Sequence, residues 1–375
     1  MTNAGVYVHL PYCASRCGYC AFVVTTDGSS RDAYLDALQA EAGLAAAEAG
    51  ATAFDSVYLG GGTPSLLPPA AIERLLALLH ARFAVAPDAE VTLEANPEDV
   101  TEEAARFWIA AGVSRISVGV QSLEDRELAA VGRRHDARRA RAAVALLAGS
   151  GVSVSGDLIL GLPFQTPESF RGSLAGLVEA GAGHVSVYLL ETDKSKLVEE
   201  DRRLHPERYL PDDTQADLWL EMGETLLARG FLHYEISNWG RPGRESRHNL
   251  KYWTRAPTLG LGVAAHELWN GRRRANVSSL EGYLAAVSQG RRPRAVDAPV
   301  GEAEAARETV FLGLRLAEGV PREAIEALVA GGQDGRLRAD YEEWLSAGIL
   351  ERADARVRFT ERGFLVSNEV LSRFV

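Results

Sequence analysis

Residues 7–22 read Tyr7-Val8-His9-Leu10-Pro11-Tyr12-Cys13-Ala14-Ser15-Arg16-Cys17-Gly18-Tyr19-Cys20-Ala21-Phe22, and this stretch decides how the rest of the chain is read. Cys13, Cys17 and Cys20 are the only three cysteines of the protein. Their spacing is C-x3-C-x2-C, and an odd, clustered set cannot form a disulfide framework. Three thiolates on one short loop make a soft anionic site suited to iron–sulfur or zinc. A closed structural zinc site wants four ligands, so zinc here would need a histidine, with His9, His135, His248 and His266 as candidates. A [4Fe–4S] cluster held by three thiolates instead of the usual four keeps one iron open for another ligand.

Outward from this loop, apolar β-rich runs alternate with longer helical patterns. The strands are expected at Val6–His9, Ser56–Leu59, Val91–Ala95, Arg115–Val120, Val154–Leu160 and Val185–Leu190. Helical patterns fall between them at Ala33–Ala47, Ala70–Ala81, Glu102–Ala110, Ala137–Leu147 and Pro167–Glu179. This is the rhythm of βα units and a parallel sheet, and near-continuous apolar strands fit a sheet covered on both faces. Six units predict an incomplete barrel rather than a closed eight-stranded one; an open doubly wound sheet is the alternative.

The polar residues support the barrel. The cysteine loop follows the first strand, Gly60-Gly61-Gly62-Thr63-Pro64-Ser65 ends the second, Glu94-Ala95-Asn96-Pro97 the third and Gln121 the fourth. Groups gathered at the carboxyl ends of parallel strands share one rim, where such barrels place their chemistry. Three adjacent glycines let backbone amides approach a ligand without interference from Cβ. Asp157 lies inside an apolar strand and needs partners if buried.

After Thr192 the composition becomes more charged. A helix is expected at Asp213–Leu227 and a short strand at His233–Ile236. His248-Asn249-Leu250-Lys251-Tyr252-Trp253 and the glycine-rich 259–266 follow, and Arg291-Arg292-Pro293-Arg294 reads as the start of a linker. Beyond Glu302, helices and a hairpin over Leu350–Thr360 suggest a winged-helix-like module. Its helices carry many acidic residues and the net charge is −11, which argues against nucleic acid as a partner and for a structural or docking role. The domains are therefore drawn at 1–230 for the barrel, 231–295 for an extension and 296–375 for the terminal module. No run of about 20 apolar residues is present, and the N-terminus enters a strand without a signal-peptide pattern. A cytoplasmic protein with reduced thiols is expected; peripheral attachment to a membrane stays open.

The cysteine spacing, with an aromatic residue before the third cysteine, resembles the radical S-adenosylmethionine (SAM) superfamily. That resemblance implies a [4Fe–4S] cluster on Cys13, Cys17 and Cys20, chelation of SAM by the open iron, SAM cleavage and an electron donor for the cluster. Tyr-Val-His-Leu-Pro-Tyr-Cys, Gly-Gly-Gly-Thr-Pro-Ser, Glu-Ala-Asn-Pro, Ser-Val-Gly-Val-Gln-Ser, Asp-Leu-Ile-Leu-Gly-Leu-Pro and His-Asn-Leu-Lys-Tyr-Trp together resemble the coproporphyrinogen dehydrogenase-like family. This implies SAM contacts at Tyr7, Tyr19, Gly61, Gly62, Thr63, Glu94, Gln121, Arg133 and Asp157.

The family has a decarboxylating branch, which oxidises two propionates of coproporphyrinogen III, and a heme-chaperone branch. The decarboxylating branch has a cysteine two places after the third cluster cysteine, where this chain has Phe22, and a long N-terminal extension that is not seen here. The chaperone branch carries a His-Asn-x-x-Tyr-Trp signature associated with heme, present here as His248–Trp253. These features imply a heme chaperone with heme and acceptor hemoproteins as partners, and dehydrogenase activity is not expected. His248, or alternatively His266, is the implied heme ligand. One departure is Gly18, which stands where chaperones of this branch usually carry proline.

Overall fold

The computed structural model describes residues 3–192, 194–331 and 335–375. Its first half repeats one unit. Strands β1 (Ala4–Leu10), β2 (Ala53–Gly61), β3 (Ala84–Ala95), β4 (Arg115–Gln121), β5 (Ser153–Leu160) and β6 (His184–Leu189) alternate with helices. These are α1 (Arg31–Ala49), α2 (Pro69–Arg82), α3 (Glu102–Ala110), the short α4 (Asp125–Ala130), α5 (Ala137–Gly149) and α6 (Pro167–Glu179). The six strands lie in sequential order and pair in parallel. That is the order of a barrel wall; a doubly wound sheet would reverse direction at a switch point.

Side-chain alternation explains why the strands roll up. Val57 and Leu59, Leu93, and Ile116 and Val118 belong to the buried apolar core. The alternate positions carry a polar file: Ser56 and Tyr58, Thr92 and Glu94, Ser117, Ser155 and Asp157. Residues of one parity share one face, and contacts such as Tyr58 to Glu94 and Ser117 to Asp157 join that file across strands. The strands are therefore not apolar on both faces, as the sequence suggested. Helices cover the apolar side and the polar file lines the barrel interior.

The chain continues through α7 (Lys196–Leu204), α8 (Asp212–Ala228), β7 (Leu232–Glu235), β8 (Asn238–Gly240), α9 (Arg247–Trp253), β9 (Thr258–Leu261), β10 (His266–Trp269), β11 (Arg272–Asn276), α10 (Leu280–Ser288) and β12 (Arg294–Pro299). β9 pairs in parallel with β1, so seven strands run parallel where the sequence showed six. Antiparallel strands extend both edges to a 12-stranded sheet. β9 is only four residues long and rich in glycine and leucine, too short to register as a strand by periodicity.

The expected linker at Arg291–Arg294 is instead the entry to β12. Arg292 donates to the Gly260 carbonyl at 3.0 Å and pairs with Glu267 at 3.0 Å. Arg294 pairs with Glu48 and, at 3.6 Å, with Glu267. Buried Glu41 accepts from the Gly262 N–H, Asn276 and Tyr283, each at 2.7 Å, tying the extension to α1. Three arginines within four residues look like a solvated segment until their acidic partners, distant in sequence, are in place.

The remainder forms α11 (Glu302–Gly313), β13 (Val320–Pro321), α12 (Arg322–Gly331), α13 (Arg336–Ser346), the hairpin β14 (Leu350–Ala353) and β15 (Arg356–Phe359), and α14 (Glu361–Leu365) and α15 (Ser367–Leu371). β13 completes a three-stranded sheet in the order β13-β15-β14, giving the helices-plus-hairpin arrangement expected of a winged-helix-like module. The Glu235–Leu316 bridge and the 2.9 Å bond from the Ile236 N–H to the Arg315 carbonyl seat this module on β7. No helix among the described residues is long and apolar enough to cross a membrane.

Candidate functional site

The cysteine loop closes on itself before it reaches the cysteines. The Thr25 N–H donates to the Pro11 carbonyl at 2.8 Å and the Cys13 N–H to the Thr25 carbonyl at 2.9 Å. The glycine run is stitched to the same segment by bonds of 2.8 Å from Gly62 N–H to Leu10 O and from Thr63 N–H to Tyr12 O. These contacts require glycine. At Gly61, φ is 110° and a Cβ would lie 2.5 Å from the His9 ring; at Gly62 it would meet backbone atoms of Pro11 and Leu10 at 2.7 and 2.8 Å. Gly18 also acquires a reason, because its N–H donates to the Val131 carbonyl at 3.1 Å. Proline has no N–H to give.

The three thiols open into a cavity of about 660 Å³ at the carboxyl ends of the strands, within the usual range for small-molecule sites. Of the residues expected there, Tyr19, Gly61, Gly62, Thr63, Glu94, Gln121, Arg133 and Asp157 line it together with the cysteines. Tyr7 does not. Its hydroxyl bonds the His9 imidazole at 3.0 Å, below the cavity floor. Gln121 adopts a left-handed φ of 66° at a bulge between β4 and β5, a strained conformation of the kind that collects at ligand sites.

Two hydrogen-bond donors reach the sulfurs. Thr63 Oγ1 donates to Cys13 Sγ at 3.4 Å and Arg133 Nη1 to Cys17 Sγ at 3.5 Å. Asn96 joins the two donors, giving its amide N–H to Thr63 Oγ1 at 3.2 Å and accepting from Arg133 Nη2 at 2.6 Å. Arg133 also donates to the Gly119 carbonyl at 2.8 Å. In the sequence Asn96 is only one member of the third strand-end motif, and the fold is what places it between two residues distant from it in the chain. Burial pushes the Cys13 and Cys20 thiols up, so metal binding as thiolates releases protons.

The donor set suits a cluster better than a single ion. Among the described residues no three His, Cys, Asp or Glu side chains converge on one ion-sized point, whereas zinc at 2.3 Å from each sulfur draws thiolates to within about 4 Å of each other. No histidine lines the cavity. His9 bonds Tyr7 and the Val23 carbonyl, His135 bonds the Val120 carbonyl and Glu98, and His266 is exposed on β10.

Glu94, Glu98, Asp157 and Glu191 line the cavity, and of these Glu94 and Asp157 stand on its strands. Glu94 accepts from Tyr58 Oη at 2.8 Å and from the Gly61 N–H at 3.0 Å. Burial raises its pKa to about 7, against the opposing pull of those two donors. Asp157 accepts from Ser117 at 3.1 Å and from Ser155 at 3.4 Å, and burial raises it as well. The serines are the partners that a carboxylate inside a strand requires.

His248 lies at the opposite end of the barrel. Its ring is fully buried, with Nδ1 2.9 Å from Ser56 Oγ and Nε2 3.0 Å from Tyr252 Oη. Glu90 accepts its backbone N–H at 3.1 Å, and Tyr58 and Tyr7 pack beside the ring. Burial lowers its pKa to about 3, so the ring is neutral and both nitrogens are occupied. The expectation that His248 presents a nitrogen to heme is not met in this arrangement: the side chain plugs the amino-terminal end of the barrel. The His-Asn-x-x-Tyr-Trp spelling could not show which barrel end α9 covers.

The cavity's remaining wall comes from late in the chain. Trp219, Ile236, Arg315, Phe364 and Asn368 line it, and Phe22 (66% exposed), Tyr188 and Leu189 stand exposed at its border. None of the late residues was anticipated, because no sequence periodicity reports which barrel opening a terminal module closes.

A family model for the radical SAM superfamily matches residues 7–175, and one for the HemN C-terminal domain matches residues 301–366. The chain is 38% identical over 372 residues to the heme chaperone HemW of Mycobacterium tuberculosis H37Rv, covering 98% of this chain and 93% of that one. It is 30% identical to the heme chaperone HemW of Bacillus subtilis, covering 98% of both. In three dimensions it is similar to the coproporphyrinogen III oxidase HemN of Escherichia coli, with a TM-score of 0.84 and 24% identity over 99% of this chain and 90% of that one.

Proposed function

The chain belongs to the heme chaperone HemW family of the radical SAM superfamily, and we propose that it holds a [4Fe–4S] cluster on Cys13, Cys17 and Cys20, binds SAM beside it, and carries heme to acceptor hemoproteins in the cytoplasm. The observation that carries this reading is the convergence of three thiols, without a fourth cysteine, on a cavity that also presents Glu94, Asp157 and the glycine run. When bound, the cluster supplies an open iron for SAM and, once reduced by an external donor, the electron that cleaves the sulfonium.

The protein's own groups bind and orient. Thr63 and Arg133 donate to the sulfurs of Cys13 and Cys17, and such bonds would tune an iron–sulfur centre held there. Asn96 holds both donors in place. Glu94 offers a carboxylate to the SAM ammonium while Tyr58 and Gly61 fix its orientation, and charge-assisted pairs of this kind are the strong ones. Tyr19 packs against Val131, Ile159 and Leu162, presenting a flat face to adenine. Tyr188, Leu189 and Phe364 would bound the apolar side offered to heme.

The test is anaerobic reconstitution followed by separate additions of heme and of coproporphyrinogen III with SAM and reductant. The expected result is about four irons and four sulfides per chain, binding of heme, and no decarboxylated product. Joint replacement of the three cysteines by alanine should abolish the cluster. Turnover of coproporphyrinogen III without heme binding replaces the chaperone reading with the enzymatic one.

A further inference from the structure

The cations around the cavity are mostly spent. Arg133 bonds Asn96, Gly119 and Cys17, Arg16 donates to the Cys20 carbonyl at 3.3 Å, and Lys194 pairs with Glu191 at 2.7 Å. Arg134 lies exposed on the side of Asp99. Arg315 differs. Among the described residues its guanidinium makes no hydrogen bond and no ion pair, and its Nε is buried without a partner. The backbone at this position is nonetheless fixed, because Arg315 O accepts from Ile236 N–H and the next residue bridges Glu235.

The guanidinium is aimed by aromatic rings. Its central carbon lies 5.3 Å from the Trp253 ring and 5.1 Å from the Phe311 ring, both within cation–π range. Glu235, whose charge acts on it, accepts from Asn238 and, at 3.4 Å, from Ser237 N–H, and forms no ion pair with it among the described residues. Around Arg315 the wall is apolar, with Trp219, Ile236 and Phe364, and Ser367 and Asn368 add small polar groups. A desolvated arginine with its donors free, on an apolar wall, is a receptor for a carboxylate at the end of a large apolar ligand.

We propose that Arg315 anchors a ligand carboxylate in the cavity. On the reading above, on which this inference rests, that carboxylate is a propionate of the bound tetrapyrrole. Trp253, the last residue of the signature segment, is then a positioning residue that holds the guanidinium toward the cavity. The signature thus reaches the cavity through its tryptophan, while its histidine faces the other end of the barrel.

The test uses the full-length, cluster-loaded protein and three ligands: heme, heme dimethyl ester and metal-free coproporphyrin III, followed by absorbance and tryptophan quenching. Esterification removes the charges and keeps the ring. The wild type is expected to prefer heme over its ester by about tenfold to a hundredfold, the worth of a charge-assisted bond. Arg315→Gln should bring that ratio close to one, Arg315→Lys should retain part of it, and Trp253→Leu should lower it, with melting temperatures confirming that each variant is folded. A wild-type ratio near one, or a ratio unchanged in a folded Arg315→Gln variant, overturns the inference and leaves the chaperone reading standing. Arg315-dependent binding of coproporphyrin III without binding of heme overturns the chaperone reading and leaves the inference standing. A wild type that binds none of the three overturns both.

Discussion

If Glu94 pairs with SAM as proposed, binding should depend on pH in a direction that can be worked out beforehand. Its carboxyl has a pKa raised from 4.5 to about 7, and only the ionised form pairs with the SAM ammonium. One unit below that pKa about one-tenth of the protein carries the charge, so SAM should bind about tenfold more weakly at pH 6 than on the plateau above pH 8. Glu94→Gln should flatten the profile and lower the plateau affinity by about ten- to hundredfold. The same substitution should act oppositely on stability. A carboxyl with a raised folded pKa opposes folding increasingly as pH rises from 4.5 to about 7, and fully above that. The shift corresponds to about 3 kcal/mol. Glutamine can still accept from the Gly61 N–H and donate to Tyr58, so the variant should be the more stable protein above pH 7. Equilibrium dialysis of SAM with the cluster-loaded protein from pH 6 to 8.5, alongside thermal melts, reads both effects. A wild-type affinity flat across that range, or a Gln variant with the wild-type slope, refutes the assignment of Glu94.

Two further substitutions probe the ends of the barrel. Gly62→Ala would press a methyl against backbone atoms of Pro11 and Leu10 at 2.7 and 2.8 Å. Neither can move aside, so a loss of about 1–3 kcal/mol and a lower iron content after reconstitution are expected; a variant with wild-type melting and iron content contradicts the stitching of the glycine run to the cysteine loop. His248→Ala strips a partner from each of Ser56 and Tyr252 and leaves a hole beneath the barrel, costing about 2–5 kcal/mol, while the heme absorbance spectrum should stay as in the wild type. A changed spectrum with unchanged stability would show that α9 lifts away and His248 ligates iron after all.

The sequence carried the barrel because its evidence is local. Short apolar β-rich runs, helical spacing and punctuating glycines mark each βα unit within about 40 residues, and the boundaries of α3 and α6 coincide with those read from the sequence. The rim residues were legible for the same reason: in a parallel barrel a strand's last residues have only one place to go. The parts that stayed hidden depend on partners distant in the chain. Arg292 and Arg294 read as linker because Glu41, Glu48 and Glu267 are not neighbours in sequence. Tyr7 is implied as a SAM contact by the family resemblance alone, but its hydroxyl bonds His9 and it does not line the cavity.

The signature segment places its two ends in different surroundings. His248 and Trp253 are five residues apart on one short helix, so one helix carries them to different surroundings. The histidine turns under the barrel to Ser56, and Lys251 clamps the same helix to Asp55 and to the Asn3 carbonyl. With its first turn held there, α9 delivers Trp253 to Arg315 in the side wall of the cavity. A buried neutral imidazole bonded at both nitrogens fixes orientation, as polar networks in cores do, and what it orients is a tryptophan under a guanidinium. The terminal module contributes Arg315 and closes the opening that an incomplete barrel leaves. The barrel thereby acquires, in addition to the wall proposed to hold SAM, a second wall with its own chemistry, apolar and cationic where the first is polar and acidic.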